Sequence, residues 1–333
     1  MTGLSSNGDQ RLDSHQRRIW EIVSQSPLDS LWNLHGVPVR VVASRVWKAV
    51  YADRLFGHAA ELGFYFLFAL FPALFCASSI LGLVARSGHQ VYDSLLDHLA
   101  LVIPTSALGT VLDTFNETTA AASSGKVTLG LIAAVWAASV GVSAIQDTLN
   151  VVYKIEDSRS YFVARLHAIG LTIVLAVIVS LGLACLLGGD YVAALARLGF
   201  DDPILATKVT FAARVVGWAM AAAFVELSFS AVYYWAPELK KRRWHWLTPG
   251  GLLGLLGWFV ASLGFRLYLH FFDNYSLTYG SLGAVIILIT WFYITGLMLL
   301  VGAEINSEIE AALVEMRLAI PPAPGPEGAL TGL

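Results

Sequence analysis

Long apolar stretches dominate the chain, and short polar ones separate them. Six stretches, 59–85, 127–152, 161–188, 209–235, 247–272 and 279–303, are each long enough to cross a membrane. A helix needs about 20 mostly apolar residues to span the hydrocarbon core. The run LTIVLAVIVSLGLACLLGG, residues 171–189, ends in Gly-Gly without a charge, whereas 127–152 turns polar in its last third. The pattern predicts an all-α, polytopic membrane helix bundle of about six transmembrane helices with short amphipathic flanking helices. The expected division is a polar N-terminal tail at 1–36, a membrane domain at 37–310 and a disordered tail at 311–333, whose end is rich in Pro, Gly and Ala.

Two further stretches are amphipathic. Residues 37–56 place Val39, Val42, Val46 and Val50 at helical spacing among Arg40, Arg45, Lys48 and Arg54. That suits a helix lying on the membrane surface. Residues 91–115 repeat the spacing with Val91, Leu95, Leu99 and Val102, then Leu108, Leu112 and Phe115, with Pro104 between the two sets. They read either as two short helices capping the bundle or as an ordinary loop helix.

Composition agrees with the pattern. The 333 residues are 56% hydrophobic and 14% charged, against about 45–50% and about 25% in soluble domains. A net charge of −3 gives no general attraction for nucleic acid. Cys76 and Cys185 both fall in apolar runs, which speaks against a disulfide or a zinc site. The eight histidines show no metal-ligand spacing, so neither a metal nor a cofactor is expected. The polar first 30 residues lack the apolar core of a signal peptide, so the first span is expected to direct insertion.

Lys and Arg supply the orientation. If the N-terminus is cytoplasmic, the inner pieces 1–58, 153–160, 236–246 and 304–333 carry fourteen basic residues, and the outer loops 86–126, 189–208 and 273–278 carry four. The tetrad Lys240, Lys241, Arg242 and Arg243 anchors one inner loop. The positive-inside rule then places both termini of a multi-pass membrane protein in the cytoplasm.

Ionisable groups inside a span are costly and mark candidate sites. Glu61, Asp147 and Glu304 lie near the inner ends of their spans, and Arg214 and Arg266 lie in the outer halves. Glu226 is nine residues from its inner end, hence about 14 Å deep. The arginines either bind the phosphate of an anionic lipid or snorkel to the outer interface. Glu226 is either paired, functional or a neutral hydrogen-bonded acid. In the second span Ser139, Ser143, Asp147, Asn150 and Lys154 share one helix face, flanked by Gln146. That face either lines a cavity or bonds to other helices. Candidate substrate-binding residues are therefore Arg214, Arg266, Glu226, Asp147, Asn150, Ser143 and Glu304. In the fifth span Gly250, Gly254, Gly257, Ala261 and Gly264 form a seam of small residues that suits close packing, within the chain or in a homo-oligomer. Pro72 interrupts the first span and is expected to kink it.

Several motifs occur in a distinctive order. They are ELGFYFLFALFPALF at 61–75, YKIEDSRSYFVAR at 153–165, Trp246-Leu247-Thr248-Pro249-Gly250, Trp258, Tyr279-Gly280-Ser281-Leu282-Gly283-Ala284-Val285, Trp291 and Gly302-Ala303-Glu304-Ile305-Asn306. This series resembles the YihY/BrkB family of bacterial inner-membrane proteins over roughly 40–310. Members were formerly mislabelled as ribonuclease BN, and some have been called virulence or serum-resistance factors or connected with lipid export. The resemblance implies a membrane protein that transports or flips an anionic lipid or another amphipathic substrate. The alternative is a structural or partner-binding membrane protein. Membrane lipids are the expected partners, and nucleic acid is not. A nuclease would need clustered carboxylates to hold metal, whereas the acids here are spread over four spans.

Overall fold

The computed structural model describes residues 14–25, 31–32, 37–84, 124–155, 158–199, 202–241, 244–271 and 281–319. Among them are eight helices: α1 (Ser14–Gln25), α2 (Val39–Ala52), α3 (Leu55–Val84), α4 (Ser124–Val152), α5 (Tyr161–Gly199), α6 (Pro203–Trp235), α7 (Pro249–Phe271) and α8 (Ser281–Ala319). The protein is an all-α membrane protein. Five helices, α4 to α8, are long and apolar enough to cross a bilayer. The 30-residue α3 covers the first expected span and continues through Pro72 as one helix. The stretch 91–115 lies outside the described residues. The described connecting residues 153–155, 158–160, 236–241 and 244–246 lie at one end of the bundle, called its basic end for Lys154, Arg159, Lys240 and Lys241.

The helices form an open series of neighbours. α7 packs on α8, α8 on α3, α3 on α4, α4 on α5 and α5 on α6, whereas α6 and α7 touch only sparsely. Lipid tails are as apolar as leucine, so close backbone approach and hydrogen bonds must hold such a bundle together. Glycine supplies the approach. A Cβ on Gly63 of α3 would lie 3.1 Å from the Tyr293 backbone nitrogen of α8, and one on Gly296 would lie 3.1 Å from Leu62 Cβ. Away from these crossings, Val260, Leu263 and Phe271 of α7 point outward as a lipid-facing row.

Several boundaries differ from the pattern-based expectation. α5 runs to Gly199 and α6 starts at Pro203, so most of the expected loop 189–208 is helix. The Asp202 side chain accepts a hydrogen bond from the Ile204 N–H at 2.9 Å, with Pro203 in the first turn, which starts α6 early. The α5–α6 hairpin is zipped by small residues: a Cβ on Gly189 would lie 2.9 Å from the Ala213 carbonyl oxygen and 3.2 Å from Gly217 Cα. α8 continues to Ala319, past the expected end of the membrane domain at 310, because Ala311, Ala312, Leu313 and Val314 are buried. Within the expected polar tail 1–36, α1 buries Ile19 and Val23 in the main core.

α2 is amphipathic, but three of its valines, Val42, Val46 and Val50, turn inward, while Val39 and Val41 stay exposed. Val42 and Val50 are buried, and Val46 packs beside them against the cores around α8. Trp47 and Tyr51 are exposed on the other face. Two aromatic side chains next to Lys48 therefore take the interfacial role that the valine spacing suggested. Arg45 ties α2 to α8 through an ion pair with Glu315.

Gly189→Val should force α5 and α6 apart. Overpacking of this kind costs about 1–3 kcal/mol, so detergent-solubilised protein should melt earlier than a Gly188→Val control, whose site faces open space.

Candidate functional site

Two of the sequence motifs, more than fifty residues apart, meet at the basic end. α7 opens with Thr248-Pro249-Gly250-Gly251. Pro249 has no N–H to satisfy. The Gly250 N–H donates to Asn306 Oδ1 of α8 at 2.8 Å, and the Gly251 N–H donates to Thr248 Oγ1 at 2.9 Å. The Leu252 N–H donates to the Thr248 carbonyl at 3.0 Å. Asn306 Nδ2 donates to Thr248 Oγ1 at 3.1 Å, so one α8 side chain caps α7 and steadies its N-cap residue. This leaves the helix start no free donor for an anion.

The cap requires near contact of two backbones. A Cβ on Gly250 would overlap the Gly302 carbonyl, and one on Gly302 would overlap the Tyr233 hydroxyl of α6. Tyr233 Oη donates to the Leu299 carbonyl at 2.8 Å. Gly254 and Gly257 continue the contact against Met298, while Gly264 faces open space. The inner part of the glycine seam is therefore occupied by α8 of the same chain, not left available for a second copy.

Glu226 faces this junction from α6. The segment leading into α7 folds back beside α6: Ser230 Oγ donates to the Trp246 carbonyl at 3.2 Å, and the Tyr234 and Trp244 rings meet at 5.2 Å. As a result Glu226, although nine residues from Trp235, meets the first turn of α7, where a Cβ on Gly251 would overlap its Oε1. The Thr248 backbone approaches Glu226 without completing a hydrogen bond, and both carboxylate oxygens are buried without a partner.

Glu304 lies on α8 between Gly302 and Asn306. It is 0% exposed, and both of its oxygens are also buried without a hydrogen bond. Its charged neighbours are Asp53, Lys154 and Glu308. Lys154, two residues past the end of α4, has φ 54° and pairs with Asp53, which lies beside Arg54 at φ 52°. Both left-handed residues carry side chains, a conformation that costs roughly 1–2 kcal/mol, and the ion pair locks the two helix ends together. Burial raises the Asp53 carboxyl above the usual range, and Lys154 pulls it the other way.

The polar stripe of α4 is spent mostly on its neighbours. Ser143 Oγ donates to the Ser139 carbonyl at 3.0 Å and accepts from Arg165 of α5 at 3.2 Å. The Arg165 guanidinium also sits over the Trp136 ring, 4.4 Å from its centroid. Gln146 meets His167 of α5 at 3.0 Å. Asn150 Oδ1 accepts from the Glu238 N–H at 2.9 Å, and Glu238 receives the Ser158 N–H at 2.7 Å and its hydroxyl at 2.9 Å. These bonds tie α4 to α5 and to both basic-end loops, as interhelical polar contacts do.

The candidate residues therefore separate into groups. Glu226, Glu304 and Asn150 belong to the basic-end polar core. Ser143 belongs to the α4–α5 contact, and Asp147 is exposed on α4. Arg214 pairs with Asp190 across the α5–α6 hairpin at 3.3 Å, with 54% of its side chain exposed. Arg266 is exposed on α7. The two arginines do not converge on Glu226: each lies well over two turns away along its helix, toward the opposite end. Residue-by-residue reading missed Asn306, Tyr233, Asp53 and Glu310 as members of the core. For Asn306 the signal was present, since Thr248-Pro249-Gly250 and Gly302 to Asn306 both stood among the motifs. Tyr233, Ser230, Asn306 and Glu310, with Tyr153 and His245, also line a cavity of about 30 Å³.

Gly302→Ala and Asn306→Leu should each loosen the α7–α8 junction. Loss of a cap costs about 0.5–2 kcal/mol, and the clash at Gly302 should exceed that. Glu226→Gln should be neutral or stabilising, because it removes a buried charge that lacks a partner. Thermal melts monitored by tryptophan fluorescence check the opposite signs.

Comparison with known proteins agrees with this architecture. Residues 46–324 match the family described as virulence factor BrkB. A ribonuclease-like protein of Bacillus subtilis, YfkH, is 33% identical over 265 residues, covering 79% of this chain and 91% of that one. UPF0761 membrane proteins of Xanthomonas oryzae and Xanthomonas campestris are 27% identical over 268 residues, or 80% of this chain. This chain spans 60% of the length of those Xanthomonas proteins. No solved structure matches. With a family match over most of its length and five apolar helices of spanning length, the chain belongs to the BrkB family of multi-pass bacterial membrane proteins.

Proposed function

We propose that the protein moves an amphipathic anionic molecule, a membrane lipid in the first instance, along the seam between α6 and α7. The observation that carries this reading is the sparse contact between these two helices, each of which packs heavily on its other neighbour. They meet where Glu226 faces Gly251 and Phe229 faces Gly254, at the basic end. Toward the opposite end the same two helices bear Arg214 and Arg266, both largely exposed. Arg214, which also meets Asp190 of α5, and Arg266 thus put a guanidinium on each of the two helices, and such groups can hold a phosphate head group through paired N–H donors. The acyl chains would remain among lipid-facing side chains such as Val216 of α6 and Val260 of α7.

The ribonuclease-like name of one relative suggests a different chemistry. Metal-assisted phosphoryl transfer needs several ligands in one place, and among the described residues no group of three or more His, Cys, Asp or Glu is placed to hold a metal. The structural or partner-binding alternative rests on the glycine seam and the amphipathic flanks, and the fold uses Gly250, Gly254 and Gly257 internally.

The test is movement of a head-group-labelled anionic phospholipid between leaflets of vesicles containing the purified protein. Movement should exceed that of protein-free vesicles. It should fall several-fold in Arg214→Ala, Arg266→Ala and Glu226→Gln variants that melt normally. Rates equal to protein-free vesicles, or full rates in all three variants, would sink the transport reading. A stable hetero-complex without lipid movement would favour the partner-binding one.

A further inference from the structure

The cavity at the basic end contains a carboxylate that the lipid pathway does not use. Glu310 of α8 is 7% exposed and forms part of the cavity wall. No hydrogen bond or ion pair holds its carboxylate among the described residues. Among those residues no Lys or Arg lines the cavity, and the one basic side chain in its wall is His245. A buried carboxylate in such surroundings carries a large desolvation penalty unless a cation joins it.

Three of the other polar groups in the wall, Ser230, Tyr233 and Asn306, keep lone pairs, and the Tyr153 and Tyr234 hydroxyls and the His245 ring complete its polar lining. Ser230 donates its hydroxyl hydrogen to the Trp246 carbonyl, and Tyr233 donates its own to the Leu299 carbonyl. Each oxygen is left with acceptor capacity only. Asn306 Oδ1 accepts one hydrogen bond, from Gly250, and retains a second lone pair, while its amide hydrogens face Thr248. Thr248 Oγ1 already accepts two hydrogen bonds and contributes no lone pair. The volume of about 30 Å³ accommodates one or two water-sized occupants.

We infer that this cavity is a binding site for a small monovalent metal cation, held by the Glu310 carboxylate with oxygen from Ser230, Tyr233 and Asn306. Oxygen ligands suit a hard cation, and one carboxylate balances a single positive charge. A proton would also neutralise Glu310, but only a cation would engage the remaining lone pairs of Ser230, Tyr233 and Asn306. The walls come from α6, α8 and the α4 end at Tyr153, so an ion bound here would cross-link the three at the base of the α6–α7 seam. The site stands independently of the lipid reading.

The experiment is thermal unfolding of the full chain in detergent, read by tryptophan fluorescence, with NaCl, KCl or choline chloride at constant ionic strength and pH. Wild type should show a saturable rise in midpoint with Na⁺ or K⁺ that choline does not reproduce, since a ligand that binds only the folded state stabilises it by mass action. Glu310→Gln should fold and lose that rise, and Glu310→Asp should keep it with a higher half-saturating concentration. Equal midpoints in all three salts would overturn the site, as would a metal-ion response that survives in Glu310→Gln. A midpoint that depends on pH but not on the metal cation would assign the carboxylate to a proton instead. Because the readout is stability, failure here is distinct from failure of lipid movement.

Discussion

The contact between Gly250 and Gly302 fixes the rest of the basic end. Any side chain at either position would collide with backbone or with Tyr233. Because the backbones approach so closely, Asn306 reaches the first free N–H of α7 and caps it from a neighbouring helix. The same approach brings Glu226 of α6 against Gly251. Three spans are thus registered by one junction, and a shift of one helical turn along α8 would leave donors of α7 and acceptors of α8 buried without partners. In a bilayer that penalty is severe, because no water is at hand to satisfy them.

Around this junction the polar groups divide by purpose. Bonds from Ser143, Gln146 and Asn150 hold α4 to α5 and to the loops, and the Asp53–Lys154 pair closes the ends of α2 and α4. The N-terminal segment completes the cover: Lys241 N–H donates to the Ser24 carbonyl at 3.2 Å and Trp32 Nε1 to the Leu247 carbonyl at 2.9 Å. The opposite half has fewer such ties among the described residues. There the α5–α6 hairpin is held by Gly189, Gly217 and the Arg214–Asp190 pair, and α7 leans on α8 through Trp258 and Thr295 at 3.0 Å. The bundle is thus bonded at one end and loosely matched between α6 and α7.

The carboxylates follow from that division. Glu226 and Glu304 lie inside the bonded end, yet their oxygens are left without partners. Most polar groups buried in proteins find hydrogen bonds, to protein or to water, so these two carboxylates stand apart from the rest of the bonded end. Spacing on α4 announced its polar face, because 3.6-residue periodicity is a local property. Depth along each helix groups Arg214 and Arg266 with Glu226 but cannot tell which faces turn toward one another. Arg214 meets Asp190, which lies in the expected loop 189–208 but within helix α5 in the structure.

The sequence by itself determined the solvent, the helical class and the family. Six apolar runs exceed the thickness of the hydrocarbon core, and inside that core the backbone can satisfy itself as helix without help from distant residues. Tertiary structure decided where the helices end and what their polar residues do. Asp202 began α6 early, burial of Ala311 to Val314 carried α8 on to Ala319, and Val42, Val46 and Val50 of α2 turned to the core rather than to lipid. It also made partners of Thr248-Pro249-Gly250 and Asn306, and made Glu310 the wall of a cavity rather than the edge of a tail. The reason is physical. Spanning depends on the composition of one segment, whereas capping, pairing and cavity formation depend on which side chains a second helix presents at contact distance.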